Sequence, residues 1–505
     1  MLRRWLIPDL ALVAAIAAAA ACLLLLDGPV KLFRDADTGW HIRTGEWLLD
    51  GKGIPKTDPY SFTQPGRPWK AWEWGPDVLF GAAHRIAGLS GVAWLTVVWI
   101  CAGVWLWVRL QWSAGGDFFL SCALMPVMMT TASLHWLARP HLMGWVWLLL
   151  TLYAAEKAGA RFGWRHRAGA FVFGALWANT HGSFALGLAV LGLYLAGEVA
   201  ERLLLGRSGA RAGWYAQAAV FGLAGTLANP YGWELHAHVA QYLTNRELLS
   251  RVAEFQSFNY QAEGAARVAL VPAVVAAGAF CAFQLRQFGR FFTLLLLGWL
   301  ALTSARGLPL AAMAALPLAG GSITLAAGRM EGWSGWVERA AGNLLNYSSN
   351  LRKLDRTVGG WALAPAALGL AAVFLAAPAV RARAGFDPKE FPVEAAAAVG
   401  ALPEGARLYA PDKYGGYLIY RFSGRRKVFF DGRSDFYGTD FMKRYILLAE
   451  ARPGWREAMA GFGITHALVP AGSTLAGVLG EARWRLIYRD GTAMLFAAEG
   501  AEGNG

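Results

Sequence analysis

Asp35 and Asp37 stand in the string Asp35-Ala36-Asp37-Thr38-Gly39-Trp40-His41, just beyond an apolar run from Trp5 to Leu26. Two carboxylates, an indole and an imidazole beside a hydrophobic segment suggest chemistry at a membrane surface. A carboxylate there can take the proton of an attacking hydroxyl. A pair of them could hold a divalent cation, Mg or Mn, that neutralises a departing phosphate. Glu73, in Trp72-Glu73-Trp74, is a third acid before the next apolar run. An isolated Asp-x-Asp is usually two solvated loop acids. Here the aromatic neighbours and the adjoining apolar run favour function, with Asp37 the leading catalytic residue and Asp35 and Glu73 its partners.

The rest of the chain has to deliver these groups to a membrane. Of 505 residues, 56% are hydrophobic and 16% charged, and mean hydropathy is +0.35, which excludes an ordinary soluble protein. The 24 Trp suit an extensive membrane–water interface. Most basic clusters fall in short connections between apolar runs, so the net charge of +13 reads as membrane topology rather than as a nucleic-acid partner. Cys22, Cys101, Cys122 and Cys281 all fall in apolar runs, without a Cys-x-x-Cys, so they pack as small apolar residues. Met1-Leu-Arg-Arg followed by the long apolar run reads as a retained signal anchor.

Apolar runs at 5–26, 91–109, 118–136, 142–156, 168–179, 183–205, 214–228, 266–285, 291–305, 308–327 and 360–380 predict a polytopic α-helical membrane domain, residues 1–380, with about eleven transmembrane helices. The amino terminus and the connections at 157–167, 202–211, 286–290 and 329–358 are rich in Arg and Lys and are placed in the cytoplasm. The loops 28–90 and 229–265 then lie outside, and 77–86 reads as an amphipathic interfacial stretch whose His84 and Arg85 touch head groups. Residues 381–505 form a small extracytoplasmic α/β domain. Short β-rich runs at 406–409, 427–430 and 467–469 alternate there with helical stretches, and a hairpin turns at Asp490-Gly491.

The string "DADTGWHIRTGEWLLDGKGIPKTDPYSFTQPGRPWKAWEW" resembles the first external loop of a bacterial family in the glycosyltransferase C superfamily. Ala138-Arg139-Pro140-His141, Trp177-Ala-Asn179-Thr-His181-Gly182, Asn229-Pro-Tyr-Gly232 and Asp431-Gly-Arg433-Ser-Asp435-Phe-Tyr437-Gly438 are similar to further parts of that family. The resemblance covers nearly the whole chain. It implies a multi-span inner-membrane enzyme using polyprenyl-phosphate-linked sugars, with acidic catalytic residues in the first extracytoplasmic loop.

Arg139, His141, Asn179 and His181 lie at outer ends of predicted spans, where they are expected to converge on Asp37 as a donor site with Trp40, His41 and Arg306. Arginine suits a phosphate; Asn179 and His181 suit sugar hydroxyls. Helix capping and snorkelling are equally good readings of an arginine at a helix end. His236 and His238 share no helical face, and Asp431, Arg433 and Asp435 could form a structural turn network or bind acceptor sugar, the structural reading being preferred. No nucleotide-binding motif is present, so a preactivated donor is expected. The resulting expectation is a membrane glycosyltransferase that inverts the anomeric centre, moving sugar to a glycan, lipid or protein acceptor outside the cytoplasm. The alternatives are a flippase of lipid-linked sugar and a non-catalytic assembly protein of an envelope polysaccharide system.

Overall fold

Asp9 interrupts the first apolar run. The computed structural model, which describes residues 2–25, 27–329 and 335–500, has helices Leu2–Leu6 and Leu10–Leu23 there. Asp9 caps the second by accepting the N–H of Leu12 at 2.8 Å. Its other oxygen meets Arg109 Nη2 at 2.6 Å, so the neighbouring helix neutralises the charge. A 3-10 turn at Gly28–Phe33 then leads into helix Asp37–Leu49. Asp37 therefore sits on the first turn of a helix, which fixes the direction of its side chain, and Asp35 lies in the bend just before it.

The following helix, Trp74–Ser113, is kinked at Ala87 and Gly88, where Gly88 has φ 61°. The expected amphipathic stretch forms its first part and the expected second span its remainder. Among the described residues six helices are long and apolar enough to cross a membrane: Leu2–Leu23 taken through its break, Trp74–Ser113, Phe118–His135, Phe184–Leu205, Ala265–Gln284 and Gly307–Ala327. The expected spans at 142–156, 168–179 and 214–228 are helices His141–Glu156, Trp164–Ala178 and Ala212–Thr226, of 16, 15 and 15 residues. These fall short of the ~20 residues of a full crossing. Phe288–Thr303 and Leu363–Ala376 are also short apolar helices. The chain is thus a multi-pass helical membrane protein, and among the described residues six of the roughly eleven expected spans meet the crossing length. Gly307–Ala327, buried along most of its length, packs against Ala265–Gln284 and Phe288–Thr303 at the centre.

The tail contains a four-stranded sheet in the order β1-β2-β4-β3, with β1 Leu408–Tyr409, β2 His466–Pro470, β3 Arg485–Arg489 and β4 Ala493–Ala497. β1 and β2 are parallel; β3 and β4 form the expected antiparallel hairpin. The segment 427–430, expected as a strand of this sheet, pairs elsewhere. Val428 makes a parallel bridge with Ser61, accepting from the Phe62 N–H at 3.1 Å and donating to the Tyr60 carbonyl at 2.9 Å. Its backbone groups are satisfied by the first loop because the chain here leaves the sheet to meet it.

Helix Asp412–Arg421 makes the second attachment by packing on Asp37–Leu49. A Cβ at Gly39 would lie 2.2 Å from the Gly416 carbonyl oxygen, and one at Gly416 would lie 2.6 Å from that of Ala36. The two backbones touch because both positions lack a side chain. The sheet-bearing tail is therefore fastened to the helix that carries the acids.

Candidate active site

Asp35 and Asp37 are bound by one guanidinium. Arg139 Nη1 lies 2.6 Å from Asp35 Oδ2 and 3.2 Å from Glu254 Oε1, and its Nη2 lies 2.8 Å from Asp37 Oδ2. Glu254 Oε2 in turn meets Arg306 Nε at 2.9 Å. Asp35 and Asp37 share one segment, while Arg139, Glu254 and Arg306 come from three others. The remaining Asp35 oxygen accepts the Asp37 N–H at 2.9 Å, which orients the helix start. Arg139 is placed by its neighbour Ala138, whose carbonyl accepts from Thr38 Oγ1 at 2.9 Å and whose N–H donates to Leu32 at 2.8 Å. Glu254 lies on the 3-10 turn Ala253–Phe255, which takes the Arg306 N–H on the Glu254 carbonyl at 3.0 Å. Nothing in its sequence surroundings singled Glu254 out, since only its partners identify it.

The tail closes one side. A Cβ at Gly432 would come within 2.0 Å of Asp37 Oδ1, so the Asp431-Gly432-Arg433 turn lies directly on the acid. Burial raises the Asp37 carboxyl to about 7, against the pull of Arg139. Glu254 goes the other way: burial opposes its charge, but Arg306 and Arg139 hold it well below the usual carboxylate range.

Beside this cluster runs a line of acid and imidazole. His41 Nδ1 is 2.6 Å from Asp77 Oδ1, His41 Nε2 is 3.9 Å from Glu73 Oε2, and His181 Nε2 is 3.5 Å from Glu73 Oε1. Burial raises Glu73 to about 8, while burial and then Arg306 and Arg139 lower His181 to about 3. Trp40 covers His41 with ring centres 3.6 Å apart. Trp72 stacks on His181 and meets His238 edge-on, and His238 Nε2 lies 3.0 Å from Asp435. Asp77 went unrecognised because the polar–apolar rhythm of 77–86 made it look like a solvated helix start.

Not every expected donor residue faces the cluster. Asn179 is consumed structurally: its oxygen accepts the Trp74 indole N–H at 2.8 Å, and its amide donates to the Ala175 and Ala228 carbonyls. It ties the Trp72-Glu73-Trp74 turn to the end of helix Trp164–Ala178. His141 Nε2 bonds the His135 carbonyl at 2.8 Å, within its own connection. His84 and Arg85, expected at head groups, instead bind the acid-bearing helix, His84 through Glu46 at 2.7 Å and Arg85 through Asp50. His84 also reaches the Tyr420 hydroxyl at 3.1 Å. The polar side of that amphipathic stretch is turned to protein because helix Asp37–Leu49 supplies its carboxylates.

Arg433 behaves as the expected turn network. It grips Asp431 through Nε and Nη2, both at 2.7 Å, and Asp58 at 2.8 Å, beneath Trp69. Among the described residues no three His, Cys, Asp or Glu side chains gather as metal ligands. Arg139 already occupies the position between Asp35 and Asp37, and a divalent cation there would have to displace it. The two carboxylates as arranged do not fit such a cation.

An apolar cavity of about 320 Å³ runs between helices Trp164–Ala178, Phe184–Leu205 and Ala212–Thr226, from Arg165 at one end to Trp177 and Thr226 near the site. No protein-family model and no curated protein matches the chain. Among the solved structures whose fold matches are two archaeal ones. One is the archaeal oligosaccharyltransferase AglB from Archaeoglobus fulgidus in complex with an inhibitory peptide and a dolichol-phosphate, at TM-score 0.57 and 12% identity. The other is the Archaeoglobus fulgidus oligosaccharyltransferase in the apo form, at TM-score 0.55 and 11% identity. Each covers 91% of this chain and 69% of the archaeal one. The fold is similar to that of these archaeal proteins. At this identity the fold alone carries over.

Proposed function

We propose that this protein is a membrane glycosyltransferase that moves a sugar from a polyprenyl-phosphate-type lipid to an acceptor on the outer face of the bacterial inner membrane. The observation that carries the reading is Asp37: a buried carboxyl raised to about 7, held by Arg139 on a helix start and roofed by the tail. The acceptor hydroxyl oxygen attacks the anomeric carbon, the bond from that carbon to the phosphate oxygen breaks, and the hydroxyl proton passes to Asp37. The lipid phosphate leaves with the bonding pair. One displacement inverts the centre.

Arg139 is committed to three carboxylates, so its role is to keep Asp37 ionisable and aimed. Arg306 spends its Nε on Glu254. Its remaining N–H groups suit the departing phosphate. The apolar cavity suits the donor's isoprenoid tail, and the Trp72, His181, His238 and Asp435 group suits acceptor sugar. No step needs a metal. The lipid-phosphate-bound archaeal neighbour supports a lipid-linked donor. In this reading the amino terminus is cytoplasmic and residues 381–505 form an external domain.

The flippase alternative has less support. At the end of the bundle remote from Asp37, Glu156 pairs with Arg290, Glu198 with Arg211 at 2.5 Å and Glu201 with Arg207 at 2.6 Å. These acids are spent on arginines, whereas translocation needs polar groups free to meet a sugar through the depth of several spans. Asp37→Asn keeps the shape and removes the base, so transfer from lipid-linked saccharides extracted from the host membrane should fall about 10²–10⁴-fold. Unchanged transfer would sink the assignment, and loss of flipping without loss of transfer would favour the flippase.

A further inference from the structure

The end of the bundle remote from Asp37 carries three guanidinium groups around one groove. This cavity of about 590 Å³ lies between helices Leu10–Leu23 and Leu363–Ala376 and the second part of Trp74–Ser113. Its depth is apolar, lined by Leu12, Ile16, Ala19, Val98, Ala102 and Leu368. Its mouth is formed by Arg4, Arg109 and Arg356, with Trp105 and Trp361 beside them. From Leu12 to Ala19 the wall runs roughly 10 Å along the helix axis.

The mouth is a built arrangement. The N–H groups of Gly359, Trp361 and Ala362 bond the carbonyls of Ile7, Arg4 and Trp5 at 2.9, 3.1 and 3.1 Å. These bonds pin the segment bearing Arg4 against the one following Arg356. Acids nearby are already engaged: Asp9 holds Arg109 Nη2, and Asp355 accepts the Leu10 N–H at 2.7 Å and the Trp112 indole at 3.2 Å. Among the described residues Arg4 and Arg356 have no carboxylate partner, and the buried Nε of Arg109 has no hydrogen-bond partner.

We infer that this groove holds one acidic phospholipid of the surrounding bilayer, with an acyl chain along its apolar wall and the phosphate on Arg4, Arg356 and Arg109 Nε. Basic pockets between spans recognise anionic head groups in this way. The flanking indoles suit the interface depth at which a head group sits. A zwitterionic lipid would bring an ammonium against three guanidinium groups, so net negative charge is what the mouth selects. The inference stands apart from the acid cluster and does not depend on transfer activity.

The test uses the full chain in nanodiscs of equal phosphatidylglycerol and phosphatidylethanolamine, with lipid retention read by native mass spectrometry. One phosphatidylglycerol should remain bound in preference to phosphatidylethanolamine. The double variant Arg4→Ala, Arg356→Ala should lower its occupancy roughly tenfold or more. Ala102→Phe, which fills the groove and keeps all three arginines, should lose the lipid as well. Arg67→Ala removes a charge at the other end and should retain it. Equal retention of the two lipids, or undiminished retention in the double variant, would overturn the inference. Displacement by millimolar inorganic phosphate would overturn it too, since the arginines would then serve a free anion.

Discussion

His41 Nδ1 and Asp77 Oδ1 lie 2.6 Å apart, and neither residue is exposed to solvent. One proton bridges them, which fixes the imidazole so that Nε2 faces Glu73 at 3.9 Å. That nitrogen and the second Asp77 oxygen have no hydrogen-bond partner among the described residues. Thirty-six residues separate the pair, and the packing of helix Asp37–Leu49 on the first part of Trp74–Ser113 brings them together.

Removing Asp77 should therefore cost stability before it costs chemistry. Asp77→Ala leaves the buried imidazole Nδ1 without a hydrogen-bond partner, a penalty of about 1–3 kcal/mol. Asp77→Asn retains an acceptor and should recover most of it. Thermal unfolding in detergent distinguishes the two, and an unchanged midpoint in the alanine variant would mean that His41 is held by its packing alone.

The rate of transfer should depend on pH through Asp37. Burial, opposed by Arg139, sets its carboxyl at about 7. The base is the deprotonated form, so rate should rise about tenfold per pH unit below 7 and level off above it. Initial rates from pH 5.5 to 8.5 check this, and a flat profile would point to another base.

Glu73 makes a prediction about stability with the opposite pH sense. Burial lifts its folded value to about 8 from 4.5. A raised folded value means stability is fully present below 4.5 and is lost as pH rises towards 8, at up to ~1.4 kcal/mol per pH unit. Glu73→Gln removes the titration, so it should unfold at a higher temperature than the native protein at pH 7.5 and no higher at pH 4. Parallel pH curves for the two proteins would contradict this.

The junction between tail and acids rests on absent side chains. Gly432→Ala would put a methyl 2.0 Å from Asp37 Oδ1 and should reduce transfer while leaving the tail docked. Gly39→Ala strikes the Gly416 carbonyl and should loosen the tail itself, exposing residues 385–500 to protease. If Gly39→Ala were as resistant as the native protein, the close helix contact would not be what holds the tail.

Arg139→Lys keeps one charge but cannot span Asp35, Asp37 and Glu254 with a planar fork. The three carboxylates then repel one another, so kcat should fall with folding retained. Equal kcat would reduce Arg139 to a point charge.

The hydropathy of consecutive residues is enough to identify a multi-pass helical protein, because helices in a bilayer satisfy their own backbone groups whatever their neighbours do. Residue chemistry and position likewise brought Asp35, Asp37, Glu73, Arg139 and Arg306 forward, and turn residues marked the hairpin at Asp490-Gly491. What the chain alone left open depends on contacts between distant segments. Arg139 binds acids 104 and 115 residues away, and no local pattern encodes that distance. Asp77 has the sequence of a solvated helix start and becomes a buried partner only because His41 packs over it. The strand-forming segment 427–430 satisfies its backbone on the first loop, and Gly39 and Gly416 matter only once two helices cross there. Spans follow from local energetics, whereas pairings of buried charge and the closeness of two backbones follow from tertiary packing.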